Sequence, residues 1–436
     1  MGIGLAVRWQ IAILLCLITT INYIDRQAFA VAGPVIVEQF GLSNTEFGAI
    51  TSGFLFAYAI GQLIVGPIID RLGTKRSFRF AVIAWSIAGI LHALGRGFWG
   101  FFFLRALLGF TESMNFPAAI KAVAEWFPRA ERSMAVGIVT IGPGLGALIS
   151  PPLLGWLITA YGWQWAFIVP GVAGFLWLII WQARFEQPER HPHLSAAERA
   201  LITSDHALEA SAEPAGQDAQ SVGQSAKPAG QNNLRDALRF FRYREVWGLM
   251  LSRFVSDGAF YFFVAWLPLY LAQERGFDIR AIAMSAWIPF LAADLGSLFG
   301  GWLGTRLIRN GMSVDASRKW VMWIAALLVP CALPAVSVES PFAAIALIGV
   351  AMFAIQMKAS SLFTMPADLF PARDVATIWG LFGAVGSFGG MLFVATAGWV
   401  TEHYSYTPIF AAAGLMHIVS AAIIMLMIPN IRLLKQ

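Results

Sequence analysis

Two short stretches of this chain carry residues whose types and spacing suit ion chemistry in apolar surroundings. One is Asn22-Tyr23-Ile24-Asp25-Arg26, an acid beside a base within a long apolar run. The other is Arg105 with Glu112, seven residues apart and so on one face of a helix, roughly two turns from each other. At 1.5 Å per residue, Asp25 and Arg26 lie about 24 Å along the first run, and Arg105 and Glu112 about 13 and 24 Å into the fourth. Arg26 and Arg105 thus share a depth. Two fixed guanidinium groups suit a carboxylate, which each can grip through two N–H groups. The acids suit proton exchange. A carboxylate holds its charge while an arginine faces it, and an anion competing for that arginine leaves the acid to take a proton. The competing reading is a static pair, Asp25 with Arg105 or Glu112 with Arg26, that only ties helices together.

The second half of the chain offers Arg253 and Asp257 at i, i+4, a pair able to neutralise itself along one helix, together with Asp294 and Lys358. A lone lysine in an apolar run needs a partner or a ligand. Contact with a ligand, aided by Gln356 and Ser360, and pairing with Asp294 are equally open for Lys358. Tyr23, Tyr58 and Gln62 suit contacts to a hydroxylated substrate, or serve as packing. The chain has no P-loop, no ligand-spaced His/Cys cluster and no nucleophile triad. Neither enzymatic chemistry nor a cofactor or metal is expected, and the driving ion would be a proton. His191 and His193 read as solvated loop residues.

The elements that must position these residues follow from composition. The chain is 58% hydrophobic and 13% charged, about half the charge fraction of a soluble domain. Apolar runs of about 20 residues predict an all-α integral membrane protein of twelve helices. They fall near 9–37, 47–70, 78–96, 98–121, 133–160, 163–185, 245–273, 281–306, 318–338, 341–365, 374–401 and 406–429. Of the 30 Lys and Arg, Arg26, Arg105, Lys121, Arg253 and Lys358 fall within spans or at their ends. With the N-terminus inside, only Arg96, Arg275 and Arg280 face the opposite side, which leaves 22 of the 30 on the cytoplasmic side. That asymmetry predicts both termini in the cytoplasm. The same placement argues against nucleic acid as the partner of a +5 chain. Cys16 and Cys331 read as small apolar residues. The first apolar run continues past Arg26, unlike a cleaved signal peptide.

Residues 186–244 break the pattern. Their Ala/Ser/Gly/Pro/Gln content predicts a cytoplasmic, partly disordered linker, with 195–203 and 234–241 able to form short surface helices. The linker separates six-helix halves, 1–185 and 245–436. The halves repeat. At an offset of 235, Gly41, Gly61, Gly66 and Arg71 meet Gly276, Gly296, Gly301 and Arg306. At 243, Gly137, Gly146 and Gly155 meet Gly380, Gly389 and Gly398. Duplicated halves of this kind place a site at their interface. The glycine-rich faces read either as packing alone or as a sliding contact between halves.

The loop Gly66-Pro-Ile-Ile-Asp70-Arg71-Leu-Gly73-Thr-Lys75-Arg76 resembles the signature of the major facilitator superfamily, Gly-x-x-x-Asp-Arg-x-Gly-x-Arg/Lys. The resemblance implies that Asp70, Arg71, Lys75 and Arg76 form a conformational gate steadying the outward-open state. Its counterpart Gly301-Trp-Leu-Gly-Thr305-Arg306 lacks the acid. Along nearly its full length the chain resembles the anion:cation symporter family, through Asn22–Arg26, Lys121–Arg132 and Ser317–Lys319. The stretch 282–296 looks like the hexuronate branch. The resemblance implies a monomeric inner-membrane transporter that takes up a carboxylated sugar with protons, Arg26 and Arg105 holding the anion. It also implies that the acids matching Asp25 and Glu112 are proton sites. Hexuronate-type relatives vary at the Asp25 position, which ranks Glu112 first. Pro143 stands where galactonate-type relatives place an amide, and favours an exchanger or exporter. An aromatic-acid importer and a non-transporting membrane sensor also stay open.

Overall fold

The computed structural model describes residues 6–202, 239–370 and 372–432. Among these the chain is helical, with no strand. The first set of helices is α1 (Val7–Phe40), α2 (Asn44–Leu72), α3 (Thr74–Leu91), α4 (Gly97–Glu112), α5 (Asn115–Trp126), α6 (Arg129–Tyr161) and α7 (Trp165–Arg184). The second set is α8 (Arg244–Arg275), α9 (Ile279–Ser285), α10 (Trp287–Arg309), α11 (Val314–Leu328), α12 (Pro341–Leu362), α13 (Met365–Leu369), α14 (Ala372–His403) and α15 (Thr407–Met427).

The described residues hold 11 helices long and apolar enough to cross a membrane. The twelfth crossing is α4 followed by α5. A single span over 98–121 is expected from sequence, and the chain instead breaks at Ser113–Met114, directly after Glu112. Pro117 accounts for the break, because it has no N–H to give the carbonyl one turn back and its ring crowds that carbonyl. The large side chains left exposed, Leu17, Trp99, Phe103, Leu298 and Leu426 among them, face lipid rather than water.

The sequence repeat is also a repeat of conformation. α1 ends on Gly41 at φ 61, and α8 ends on Gly276 at φ 65. Both are left-handed caps that glycine adopts at little cost. Two residues on, Ser43 accepts from Glu46 N (3.1 Å) and Asp278 accepts from Ala281 N (2.7 Å), each opening the next helix. Glu125, near the end of α5, accepts from Thr74 Oγ1 (2.9 Å). At the offset of 243, Asp368 in α13 pairs with Arg318 at the start of α11 (3.0 Å).

Within the first set, α1 packs along α6 and α7, α2 along α4, and α3 along α7. In the second set, α8 packs along α14 and α15, and α10 and α11 pack along α12. The sets meet through α2 with α14, α6 with α9 and α10, and α1 with α8. Twelve crossings return the chain to the face from which it starts. The two ends are tied there, Arg8 to Glu131 (2.7 Å) and Glu198 (3.0 Å), and Ile431 N to Asp315 (2.8 Å).

On the opposite face the two sets touch closely. Thr45 N donates to Glu402 (2.9 Å), Gln273 donates to Asn44 (3.0 Å), and Ser52 donates to the Met391 carbonyl (3.0 Å). A Cβ added at Gly48 would lie 2.9 Å from the Val394 carbonyl oxygen, and one at Gly398 would lie 2.5 Å from that of Asn44. On the termini face the repeat glycines Gly66, Gly137, Gly301 and Gly380 would meet no described atom within 4 Å. The sets therefore close at one face and part at the other. Most central glycines serve packing inside one set. Gly146 lies against Tyr23 and Thr20 of α1, and Gly389 against Phe254 of α8. Gly144 differs, for it faces Asp294 across the seam.

Residues 196–202 are helical and Arg239–Arg242 form a 3-10 turn. Of the expected linker, 203–238 lies outside the described residues. His191 departs from expectation. It is buried, its Nε2 within 3.0 Å of the Arg184 carbonyl and its ring against Trp126. Cys16 and Cys331 are free thiols.

Candidate functional site

Between the two sets lies a cavity of about 260 Å³. α1 supplies Tyr23 and Arg26, α4 supplies Arg105, and α6 supplies Pro143 and Gly144. The other wall holds Arg253, Asp257 and Tyr261 of α8, Asp294 of α10, Gln356 and Lys358 of α12, and His417 of α15. Seven aromatic rings complete it: Tyr23, Phe29, Phe54, Phe260, Tyr261, Phe290 and Phe363.

Arg26 and Glu112 form the ion pair at the heart of the first set. Arg26 Nε lies 3.2 Å from Glu112 Oε2, and the carboxylate is fully buried. The Arg26 guanidinium is caged by Tyr23 and Tyr58, each 4.6 Å from ring centre, and by Phe54 at 5.1 Å. Arg105 is 4% exposed, and its guanidinium lies 4.3 Å from the centre of the same Phe54 ring. Its Nη1 donates to the Arg26 carbonyl (3.4 Å), its Nε is unpartnered, and among the described residues no carboxylate pairs with it. Aromatic faces offset part of the cost of burying a cation, by ~2 kcal/mol or more when desolvated, but they do not neutralise it.

The expected residues therefore separate. Tyr23, Arg26, Arg105, Gln356 and Lys358 line the cavity. Glu112 does not line the cavity but pairs with Arg26, which does. Asp25 does not face the cavity. Neighbours on a helix point about 100° apart, so with Arg26 turned inward Asp25 turns to α3, where its Oδ1 packs on Gly89 and its Oδ2 is unpartnered. Tyr58 and Gln62 stand off the wall, Tyr58 as part of the Arg26 cage. Ser360 donates to the Met357 carbonyl (2.7 Å) and packs toward Gly300 of α10, on the face of α12 away from the cavity. Lys358 does not pair with Asp294, whose carboxylate lies against Gly144; it donates to Ser420 Oγ. Arg253 and Asp257 form the i, i+4 pair at 2.7 Å. Sequence reasoning does not single out His417 and Ser420, one helical turn apart on α15. The signal that could have found them is a histidine inside an apolar span.

In the signature loop, Asp70 pairs with Lys121 (2.6 Å) and Lys75 with Glu186 (2.8 Å). The Lys75 ammonium holds the Glu186 carboxyl below its ordinary range. Arg71 and Arg76 are exposed and make no ion pair among the described residues.

A two-set helical bundle closed at one face, open at the other and holding buried charges in a central cavity is the architecture of a membrane transporter. The chain belongs to the Major Facilitator Superfamily, whose model matches residues 15–362. It is 32% identical to the hexuronate transporter of Escherichia coli (strain K12), over 97% of this chain and 94% of that one. It is 34% identical to the galacturonate transporter of Dickeya chrysanthemi, over 74% of this chain and 89% of that one. In fold it resembles a bacterial homologue of the human lysosomal transporter Spinster, solved inward-facing and occupied. That likeness has a TM-score of 0.75, 18% identity and 98% coverage of both chains. The protein is a multi-pass transporter of the cell membrane and not an enzyme.

Proposed function

We propose that the chain carries a sugar-acid carboxylate, such as a hexuronate or aldonate, together with protons, by alternating access. The observation that carries this reading is Arg105, a buried guanidinium on the cavity wall with no carboxylate partner beside an Arg26 that has one. An uncompensated buried cation favours an anion in the cavity. Arg105 takes the substrate carboxylate through Nε and its terminal nitrogens. The anion then competes for Arg26. Glu112, released from Arg26, has no other described partner and takes a proton. Substrate and proton thus travel as one neutral load. The positive-inside pattern supports a cytoplasmic placement of the open, termini face, which makes this the inward-open state. Asp70 and Lys75 then exchange their present partners for partners across the seam, Arg71 and Arg76 gain partners there, and the four gate the passage to the outward-open state.

The aromatic lining favours a second reading, an aromatic carboxylate as substrate. Uptake of labelled glucuronate, galacturonate and galactonate into proteoliposomes, with and without a pH gradient and with benzoate as competitor, tests both. Gradient-driven accumulation of a sugar acid, unaffected by benzoate, is expected. No uptake of any sugar acid would overturn the first reading, and benzoate transport alone would favour the second.

A further inference from the structure

Anion and proton exchange at Arg26, Arg105 and Glu112 leaves two buried polar groups of the cavity wall, Lys358 and His417, unused. They lie on the cavity wall opposite Arg105. His417 is 2% exposed and lines the cavity; its ring lies near the Ser256 backbone, yet neither nitrogen makes a well-formed hydrogen bond there or elsewhere among the described residues. Lys358 is 1% exposed, lines the same cavity, and spends one N–H on Ser420 Oγ. Ser420 is itself fixed, because its hydroxyl donates to the Ser252 carbonyl (2.7 Å) and lies 2.7 Å from Ser252 Oγ. The lysine head is therefore held in place by α8 and α15, with donors to spare. A buried imidazole with two open nitrogens is destabilising on its own account. Such a group in a cavity wall points to a ligand that satisfies it.

We propose that Lys358 and His417 form a second polar subsite, on the wall opposite Arg105, that binds neighbouring hydroxyl groups of the substrate's sugar chain. The chemistry matches a vicinal diol. Lys358 offers donors only, whereas a neutral imidazole offers one donor and one acceptor. One hydroxyl oxygen accepts from Lys358 and donates its own proton to the unprotonated ring nitrogen of His417; the neighbouring hydroxyl accepts a second N–H of Lys358. The substrate then spans both helix sets, carboxylate on Arg105 and hydroxyls on α12 and α15, so its binding favours closure of the open face. An aromatic acid would leave His417 unsatisfied. This subsite rests on the sugar-acid reading and extends it.

Purified full-length protein is titrated calorimetrically with glucuronate and with cyclohexanecarboxylate, a ring of similar size with the carboxylate and no hydroxyls. His417→Leu is expected to weaken glucuronate by ~10-fold or more and to leave cyclohexanecarboxylate within ~2-fold, because sites built to hydrogen-bond a hydroxyl discriminate by that contact. His417→Gln, which restores a donor and an acceptor, is expected to keep most of the preference. It decides the matter alone if the Leu variant is not monodisperse. Unchanged discrimination in His417→Leu, equal weakening of both ligands, or loss of the preference in a monodisperse Gln variant overturns the subsite while leaving the function intact. Failure of the unmutated protein to bind any of glucuronate, galacturonate and galactonate overturns both.

Discussion

Gly398 sits where the two helix sets touch on the face opposite the termini. A Cβ there would lie 2.5 Å from the Asn44 carbonyl oxygen and 3.2 Å from the Cα atoms of Thr45 and Gly48. Non-bonded carbon contacts relax at about 3.5–4.0 Å, and the obstructing atoms are backbone of α2, which cannot rotate aside. Gly398→Ala must therefore push α2 and α14 apart at that face. Overpacking of this kind costs ~1–3 kcal/mol. The cost falls only on the state closed at that face, so the ratio of the two states moves ~5- to 150-fold toward the one open there. Gly301 and Gly380 are the control, since an added methyl meets no described atom within 4 Å. The assay replaces Cys16 and Cys331 with alanine, places a cysteine at Ala147 on the cavity wall, and times its reaction with an impermeant maleimide added to each face. Gly398→Ala should slow labelling from the termini face and speed it from the other; Gly301→Ala should not do so. Identical labelling in Gly398→Ala and its parent would refute the claim that these glycines set the closed face.

Glu112→Gln removes the charge that faces Arg26 while keeping an acceptor oxygen. Accumulation driven by a pH gradient should disappear and counterflow exchange should survive, with a lower melting temperature from the loss of a buried counter-charge, worth ~1–3 kcal/mol; persistence of proton-driven accumulation would exclude Glu112 as the proton site. Arg105→Lys keeps the charge but neither the stacking on Phe54 nor the two-pronged grip, so substrate affinity by calorimetry should fall ~10-fold or more, and unaltered affinity would remove Arg105 from the site. Glu186 is held below its ordinary value of 4.5 by Lys75. A depressed acid contributes stability above that value and loses it as pH falls. The melting-temperature gap between the parent and Glu186→Gln should be small, since both partners are partly exposed, and should close below pH 4.5; a gap that widens in acid would contradict the pairing.

Much of the fold was legible because lipid imposes it. Runs of apolar residues, glycine caps and a repeat at two offsets need no knowledge of neighbours, and the left-handed Gly41 and Gly276 show that sequence repeat and backbone repeat coincide. The break at Ser113–Met114 was less legible, because Pro117 kinks only the hydrogen-bond ladder and hydropathy averages over it. In the site, depth could be counted and azimuth could not. Arg26 and Arg105 were placed at one level by arithmetic. Whether Asp25 or Arg26 faces the cavity depends on how α1 is rotated against α3 and α6, which is a property of packing. The same limit explains Ser360, one face away from the cavity, and Lys358, whose partner Ser420 lies 62 residues along the chain.

The pseudo-symmetry of the helices does not extend to their charges, and that difference bears on mechanism. In the second set Arg253 and Asp257 belong to one helix, so the pair is local to α8. In the first set the pair joins α1 to α4, just before the break that Pro117 introduces. A ligand that draws Arg26 away can separate that pair without unwinding a helix, and the released acid lies where the ladder is already open. Arg105 and Lys358, the two cavity cations without a described carboxylate partner, stand on opposite walls. A substrate that satisfies both must bridge the sets. On the function proposed above, an inter-helix pair that a ligand can split on one wall, and an anchored cation without a carboxylate partner on the other, together join anion binding to proton uptake and to closure. The i, i+4 pair also lines the cavity, but splitting it parts no two helices.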